Sequence, residues 1–248
     1  MILRDIDALW YTVSVVTNTR RVLRQHLHTD ALLDIDSVPI ATEAVSPTVA
    51  LEAATRGQLL QQLDADEVSA CTKCPLCQSR SQTVFGEGDP HAALMFIGEG
   101  PGQKEDEQGR PFVGRAGELL DKQIAAMGLQ REQVYIANVV KCRPPSNRTP
   151  TPAEADACSD YLRRQITIIE PQVIVTLGGP AAKLVLNTRE GVTRLRGNWF
   201  DSRQFLSHGP VIPVMPTFHP AYLLRAYTRD NRRHVWSDLQ QVMQRLGK

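Results

Sequence analysis

From residue 92 onward the chain alternates between short apolar runs and longer amphipathic stretches. The runs "AALMFIG" (92–98), "VYIANVV" (134–140), "PQVIVTLG" (171–178) and "PVIPVMPTF" (210–218) begin about 40 residues apart. Short, almost continuously apolar runs rich in Val and Ile suit strands buried on both faces. Between them the spacing predicts helices over 115–127, 152–169 and 179–187, with a last one over about 230–246. Thr151 is placed to cap the second of these and Pro152 to occupy its first turn. Strands alternating with helices at this interval imply a mostly parallel sheet covered on both faces. Upstream, Ile6, Leu9, Trp10, Val13 and Val16 predict an amphipathic helix over 6–28. Residues 36–55, rich in Ala, Thr, Ser and Pro and without a period, read as a linker. The chain thus divides into an extension, 1–57, and a main domain, 58–248.

Charge and composition narrow the setting. No apolar run approaches the length of a membrane span. Arg4, Asp5 and Asp7 stand where a signal peptide needs an apolar core. These features lead to the expectation of a cytoplasmic protein without a membrane partner. The net charge of +1 is unevenly spread: residues 1–70 carry five basic and ten acidic side chains, residues 71–248 carry 23 and 17. A mildly basic main domain is compatible with a polyanionic partner and does not require one.

All five cysteines, Cys71, Cys74, Cys77, Cys142 and Cys158, fall in the main domain. A cytosolic setting keeps them reduced, so a disulfide framework is not expected. The segment "CTKCPLC" sets three thiols on one tight loop. That spacing is typical of an iron–sulfur or other metal site, and spacing alone leaves zinc open. It would combine Cys71, Cys74 and Cys77 with one remote thiol.

The remaining unusual residues all follow strands. "GEGPG" comes after the first apolar run, Asn138 and "KCRPPSNR" close the second, "GGP" follows the third and "HPAYLLR" the fourth. In an open parallel sheet the C-terminal ends of the strands share the edge where ligands bind. Glu99, Asn138 and His219 are therefore expected in one cleft. "GEGPGQKE" lacks the G-x4-G-K-[ST] of a phosphate loop, and its glycines do not follow G-x-G-x-x-G. A carboxylate inside the turn would also repel phosphate. Glu105 and Asp106 read as exposed charges at the start of a helix.

Taken together, "MFIGEGPGQKEDEQGRPFVGRAGELLD", "VYIANVVKCRPPSNRTPTPAE", "IVTLG" and "HPAYLLR" resemble the family 4 uracil-DNA glycosylases, over the stretch from Cys71 to the last helix. The resemblance implies a three-layer α/β/α sandwich with a four-stranded, mostly parallel sheet. It also implies a 4Fe–4S cluster, uracil-containing DNA as partner, a monomeric enzyme, and hydrolysis of the bond joining uracil to deoxyribose. Glu99 and His219 would be catalytic: the carboxylate faces a cation-like sugar and orients water, and the imidazole hydrogen-bonds uracil O2. Phe112 would stack on the flipped base and Asn138 would read its edge, with Gly98 and Gly100 allowing the backbone close approach. Tyr222 and Leu223 would fill the gap in the DNA, and Arg143, Arg148 and Arg225 would contact phosphate. The family pattern assigns the cluster to Cys71, Cys74, Cys142 and Cys158, with Cys77 as an extra thiol. Two alternatives belong to the same superfamily: a non-enzymatic DNA-binding module, and a form that bonds covalently to uracil through a His in a "KRIHK"-like loop. That loop here reads "KCRPPSNRTP" and contains no His.

Overall fold

The computed structural model describes residues 55–206 and 208–248. The expected helix over 6–28 lies outside the described residues, as does all of the expected linker except Thr55. The four apolar runs form strands β2 (Leu94–Gly98), β3 (Tyr135–Asn138), β4 (Val173–Leu177) and β6 (Pro213–Thr217), all mutually parallel. Two further strands, β1 (Glu87–Gly88) and β5 (Phe200–Asp201), correct the expected count of four. Each is two residues long and pairs antiparallel at an edge, giving the order β1-β3-β2-β4-β6-β5. A two-residue strand has no hydrophobic period to reveal it. β5 reaches only Val214 and Pro213, so Pro216 lies beyond it, where β6 tolerates a residue without a backbone N–H.

Eight helices surround the sheet among the described residues: α1 (Arg56–Leu63), α2 (Gln103–Gln108), α3 (Arg115–Ala126), α4 (Pro152–Ile169), α5 (Gly179–Val185), α6 (Val192–Leu195), α7 (Pro220–Arg225) and α8 (Arg229–Arg245). The long ones lie where the periodicity places them, within two residues at each end. At α4 the Thr151 hydroxyl accepts from the Glu154 N–H at 3.3 Å, while the Glu154 carboxylate accepts from the Thr151 N–H at 2.8 Å. This reciprocal box fixes the start of the helix.

Alternating strand residues feed two apolar cores. Met95, Ile97, Ala137 and Ile174 face one layer, with Leu60 and Leu63 of α1 and Tyr161, Leu162 and Ile166 of α4. Leu94, Phe96, Ile136 and Val175 face the other, with Leu120 and Ile124 of α3 and Val235, Leu239 and Val242 of α8. Both faces of every central strand are buried, which explains why the runs are apolar throughout instead of alternating. The sandwich therefore leaves only the strand ends available for chemistry.

Helix α1 belongs to this core. Thr55 caps it, Arg56 donates to the Ile169 carbonyl at 2.7 Å, and Leu60 and Leu63 are buried. A chain beginning at Asp64 is expected to melt lower than one beginning at Thr55. Losing two buried leucines costs about 4 kcal/mol or more, or about 10 °C for a domain of this size. Calorimetry of the two truncations checks it, and equal melting temperatures would remove α1 from the core.

Candidate active site

The C-terminal ends of the parallel strands open into a cleft of about 540 Å³. In the β2–β3 ladder Gly98 stands opposite Asn138. A methyl group on Gly98 would lie 2.4 Å from Asn138 Oδ1 and 2.5 Å from the Phe112 ring, so only glycine admits both side chains. Asn138 is 1% exposed, and among the described residues its Oδ1 has no hydrogen-bond partner. An unpaired buried acceptor is costly and points to a donor brought by a ligand.

Phe112 forms one wall, on a loop held in an unfavourable shape. Its φ is +52°, in the left-handed region that a bulky side chain avoids. The Glu105 carboxylate holds this loop: Oε1 accepts from the N–H groups of Val113 and Gly114, both at 2.9 Å, and Oε2 accepts from Gly102 at 3.1 Å. Arg131, paired with Glu87 and Asp121, donates to the Pro111 carbonyl from the other side. A Cβ on Gly117 would fall 1.8 Å from the Phe112 carbonyl oxygen, so α3 can approach the loop only there. Glu105 is thus a clamp rather than an exposed charge. Asp106 is also buried, accepting from the Ser81 N–H at 3.0 and 3.1 Å. Sequence reading missed both roles, because the deciding partners, Val113 and Gly114 for Glu105 and Ser81 for Asp106, are backbone groups eight or more residues away.

His219 caps α7 and stacks on Phe112 with ring centroids 5.5 Å apart. Its Nδ1 accepts from the Ala221 N–H at 3.0 Å. A backbone N–H can only donate, so Nδ1 carries the lone pair and Nε2 carries the proton. Burial, helped by the charge of Arg225, pushes the imidazole down to about 4, against a smaller opposing pull from Glu105. His219 is therefore a neutral donor at physiological pH. Gly178, at φ +91°, supports it from below: a Cβ there would lie 3.0 Å from the His219 Cβ.

Glu99 and Gly100 complete the turn that lines the cleft. No hydrogen bond engages the Glu99 carboxylate among the described residues, whereas Glu105 beside it is fully engaged. The cleft thus presents an unpaired amide oxygen, a neutral N–H donor, an aromatic face and an uncommitted carboxylate. This set complements a planar heterocycle carrying both donors and acceptors next to a developing positive charge.

The outer residues separate. Arg225 and the exposed Tyr222 line the cleft. Leu223 does not: it is 2% exposed and belongs to the core with α8, so the structure corrects its placement as a wedge. The exposed leucine of that helix is Leu224. Arg148 lines the mouth, but Glu154 grips its guanidinium at 2.7 and 2.8 Å. Arg143 lies outside the lining and donates to Asn147 Oδ1 at 2.7 Å.

A second, much smaller cavity is lined by all five cysteines together with Arg80, Lys141 and Tyr161. Among the described residues no three His, Cys, Asp or Glu side chains already stand in a metal-holding arrangement. The donor chemistry nevertheless suits an anionic centre. Arg80 donates to Cys142 Sγ at 3.0 Å, and the backbone N–H groups of Lys141 and Lys73 point to Cys158 Sγ and Cys71 Sγ at 3.3 and 3.5 Å. Burial pushes the Cys142 thiol up to about 11 and raises those of Cys158 and Cys74. A metal centre would offset that by taking them as thiolates.

Comparison with known proteins agrees with this geometry. The sequence model of the uracil DNA glycosylase superfamily matches residues 85–240. The type-4 uracil-DNA glycosylase of Thermotoga maritima is 44% identical over 198 residues, covering 78% of this chain and 98% of that protein. Its counterpart from Sulfurisphaera tokodaii is 46% identical over 182 residues, 71% of this chain and 80% of that protein. The one from Archaeoglobus fulgidus is 41% identical over 186 residues, 73% and 91%. The chain belongs to the type-4 uracil-DNA glycosylase family. Among the described residues no helix is long and apolar enough to cross a membrane.

For this family member the His219 environment makes a testable statement. Its folded pKa, about 4, lies below the unfolded value of 6.5. The stability this contributes is complete above pH 6.5 and is lost as pH falls toward 4. Carbon-13 NMR of labelled histidine, assigned with His219→Gln, should show a His219 ring unchanged from pH 7 to 5. A midpoint near 6.5 would mean that the ring is solvated and charged when the enzyme meets acid.

Proposed function

We propose that the chain excises uracil from DNA by hydrolysis, leaving an abasic site, and acts as a monomer in the reducing cytoplasm. The observation that carries this reading is the unpaired, buried Oδ1 of Asn138, set between the Phe112 face and the neutral His219 donor. A base inside a duplex is out of reach, so the nucleotide must swing out into the cleft. Uracil N3–H then supplies the donor Asn138 Oδ1 lacks, and the amide NH2 donates to O4. Stacking on Phe112 excludes water from one face.

Cleavage of the glycosidic bond leaves negative charge on uracil and positive charge on the sugar. The Nε2–H of His219 meets O2 as that charge develops, and a neutral donor held in place by the Ala221 N–H needs no rearrangement to do so. The Glu99 carboxylate faces the sugar, stabilises its cationic character and orients the attacking water. Gly98 and Gly100 keep the floor low enough for the nucleotide to reach both groups. Arg225 and Arg143 meet phosphate, Arg148 shapes the same loop through Glu154, and Tyr222 fills the space left in the stack. Cys71, Cys74, Cys142 and Cys158 would hold a 4Fe–4S cluster, which when bound supplies a cross-link between the Cys71 loop and the Cys142 loop. Every group in this scheme lies between Cys71 and Arg225, so the 58–248 domain carries the activity, and Thr55, Arg56 and Gly57 of the expected extension join that domain as the start of α1.

A uracil-containing oligonucleotide incubated with the protein and then treated with alkali should be cut at the uracil. Glu99→Ala and His219→Ala should each lower the single-turnover rate by about 100- to 1,000-fold with DNA affinity retained. Asn138→Asp removes the amide donor and sets a carboxylate against O4, so uracil excision should fall by a comparable factor. Wild-type rates in all three variants would place the chemistry elsewhere.

Anaerobically purified protein should be brown and hold about four irons per chain. Alanine at Cys71, Cys74, Cys142 or Cys158 should bleach it, and Cys77→Ala should not. Zinc in place of iron would refute the cluster assignment.

A further inference from the structure

Lys141 is 1% exposed, among the most deeply buried large side chains of the protein. Burying an ammonium is costly unless both its donors and its charge are answered. Its donors are answered by neutral groups: Nζ reaches the Asn138 backbone carbonyl at 3.0 Å and Gln165 Oε1 at 2.5 Å. Among the described residues no carboxylate hydrogen-bonds it. Gln165 cannot easily turn away, because its Nε2 donates to the Phe85 carbonyl at 3.0 Å and to the Tyr135 hydroxyl at 3.4 Å.

The charge of Lys141 finds its answer among the thiols, together with the attraction of the Asp64 carboxylate. Its backbone N–H donates to Cys158 Sγ, Cys142 follows it in the chain, and it lines the same small cavity as the five cysteines. Four thiolates around a 4Fe–4S core carry net negative charge, which would compensate the buried cation. At its other contact Lys141 grips the backbone of the residue whose side chain reads the base. The segment 138–142 therefore joins the two sites, with Asn138 facing the cleft and Cys142 facing the thiols.

We propose that Lys141 is a positioning residue that couples the thiol centre to base recognition. The negative charge of the thiolates and the Gln165 amide hold the ammonium, and the ammonium fixes the Asn138 carbonyl and with it the amide presented to uracil. The inference rests on the uracil-excision reading above.

The test uses the full chain with its cluster. Lys141→Met keeps length and bulk and removes the charge and donors. It should retain its iron and its affinity for DNA, yet excise uracil about 10- to 100-fold more slowly, the usual range for an outer-shell partner of a metal site. Inhibition by free uracil should weaken by a similar factor. The midpoint potential of the cluster should become more negative, because a positive charge beside it has gone. An iron-loaded Lys141→Met variant with unchanged rate and unchanged uracil inhibition overturns the coupling. Should that variant lose its iron or fail to fold, Gln165→Met decides: it keeps the cation and every thiol but releases the ammonium, so a slower rate with iron retained supports the coupling and an unchanged rate overturns it. Wild-type protein that excises no uracil would overturn the function reading itself. Wild-type excision beside an unaffected iron-loaded variant would overturn only the role of Lys141.

Discussion

The space left by the missing side chain of Gly98 is the constraint on which the cleft depends. Strands β2 and β3 lie side by side in parallel register, so Gly98 and Asn138 end their strands together. With no Cβ at Gly98, the Asn138 amide and the Phe112 ring share a volume that even a methyl group would close. From that one shared volume follow the buried, unpaired acceptor, the aromatic wall beside it and the placement of His219 against that wall. The cost of leaving an acceptor unpaired in the free protein is borne by the rest of the sandwich, whose apolar cores cover both faces of the sheet.

Two glutamates on adjacent turns divide the work of the glycine-rich segment. Glu105 spends both oxygens on backbone N–H groups from residues 102, 113 and 114, and so holds Phe112 at a positive φ. Glu99 keeps its carboxylate uncommitted at the cleft. Strain in the Phe112 loop is tolerated because two charge-assisted hydrogen bonds, at Val113 and Gly114, and the Arg131 contact over-determine its shape. The loop is thus built before the ligand arrives, which is what a stacking surface needs if binding is not to meet the cost of ordering it.

The imidazole of His219 illustrates how a terminus can set a protonation state. The first N–H groups of α7 have no partner within the helix, and one of them is answered by Nδ1 of the residue that caps it. That single bond selects the tautomer, and burial beside Arg225 opposes a second proton. The result is a donor whose strength comes from placement rather than charge. On the far side of the β3 terminus, Lys73, Arg80 and Lys141 line the cavity that holds the cysteines.

Much of this was legible in the one-dimensional pattern. Continuous apolar runs at regular intervals determine four buried parallel strands, and parallel strands separated by helices bring their C-terminal ends to one edge. That is why Glu99, Asn138 and His219 could be expected together from their positions after strands. The Thr151–Pro152 start of α4 was equally local, being a matter of one side chain and the next turn. Tertiary structure decided what local pattern does not encode. Strands β1 and β5 are too short to have a period. Which of Tyr222, Leu223 and Leu224 turns inward depends on the phase of α7 against α3. The separation of Glu105 from Glu99 depends on N–H groups up to nine residues away meeting one carboxylate, and the burial of Lys141 on a glutamine 24 residues further on. Periodicity is a property of neighbours along the chain, whereas the partner of a buried polar group is set by packing between distant segments.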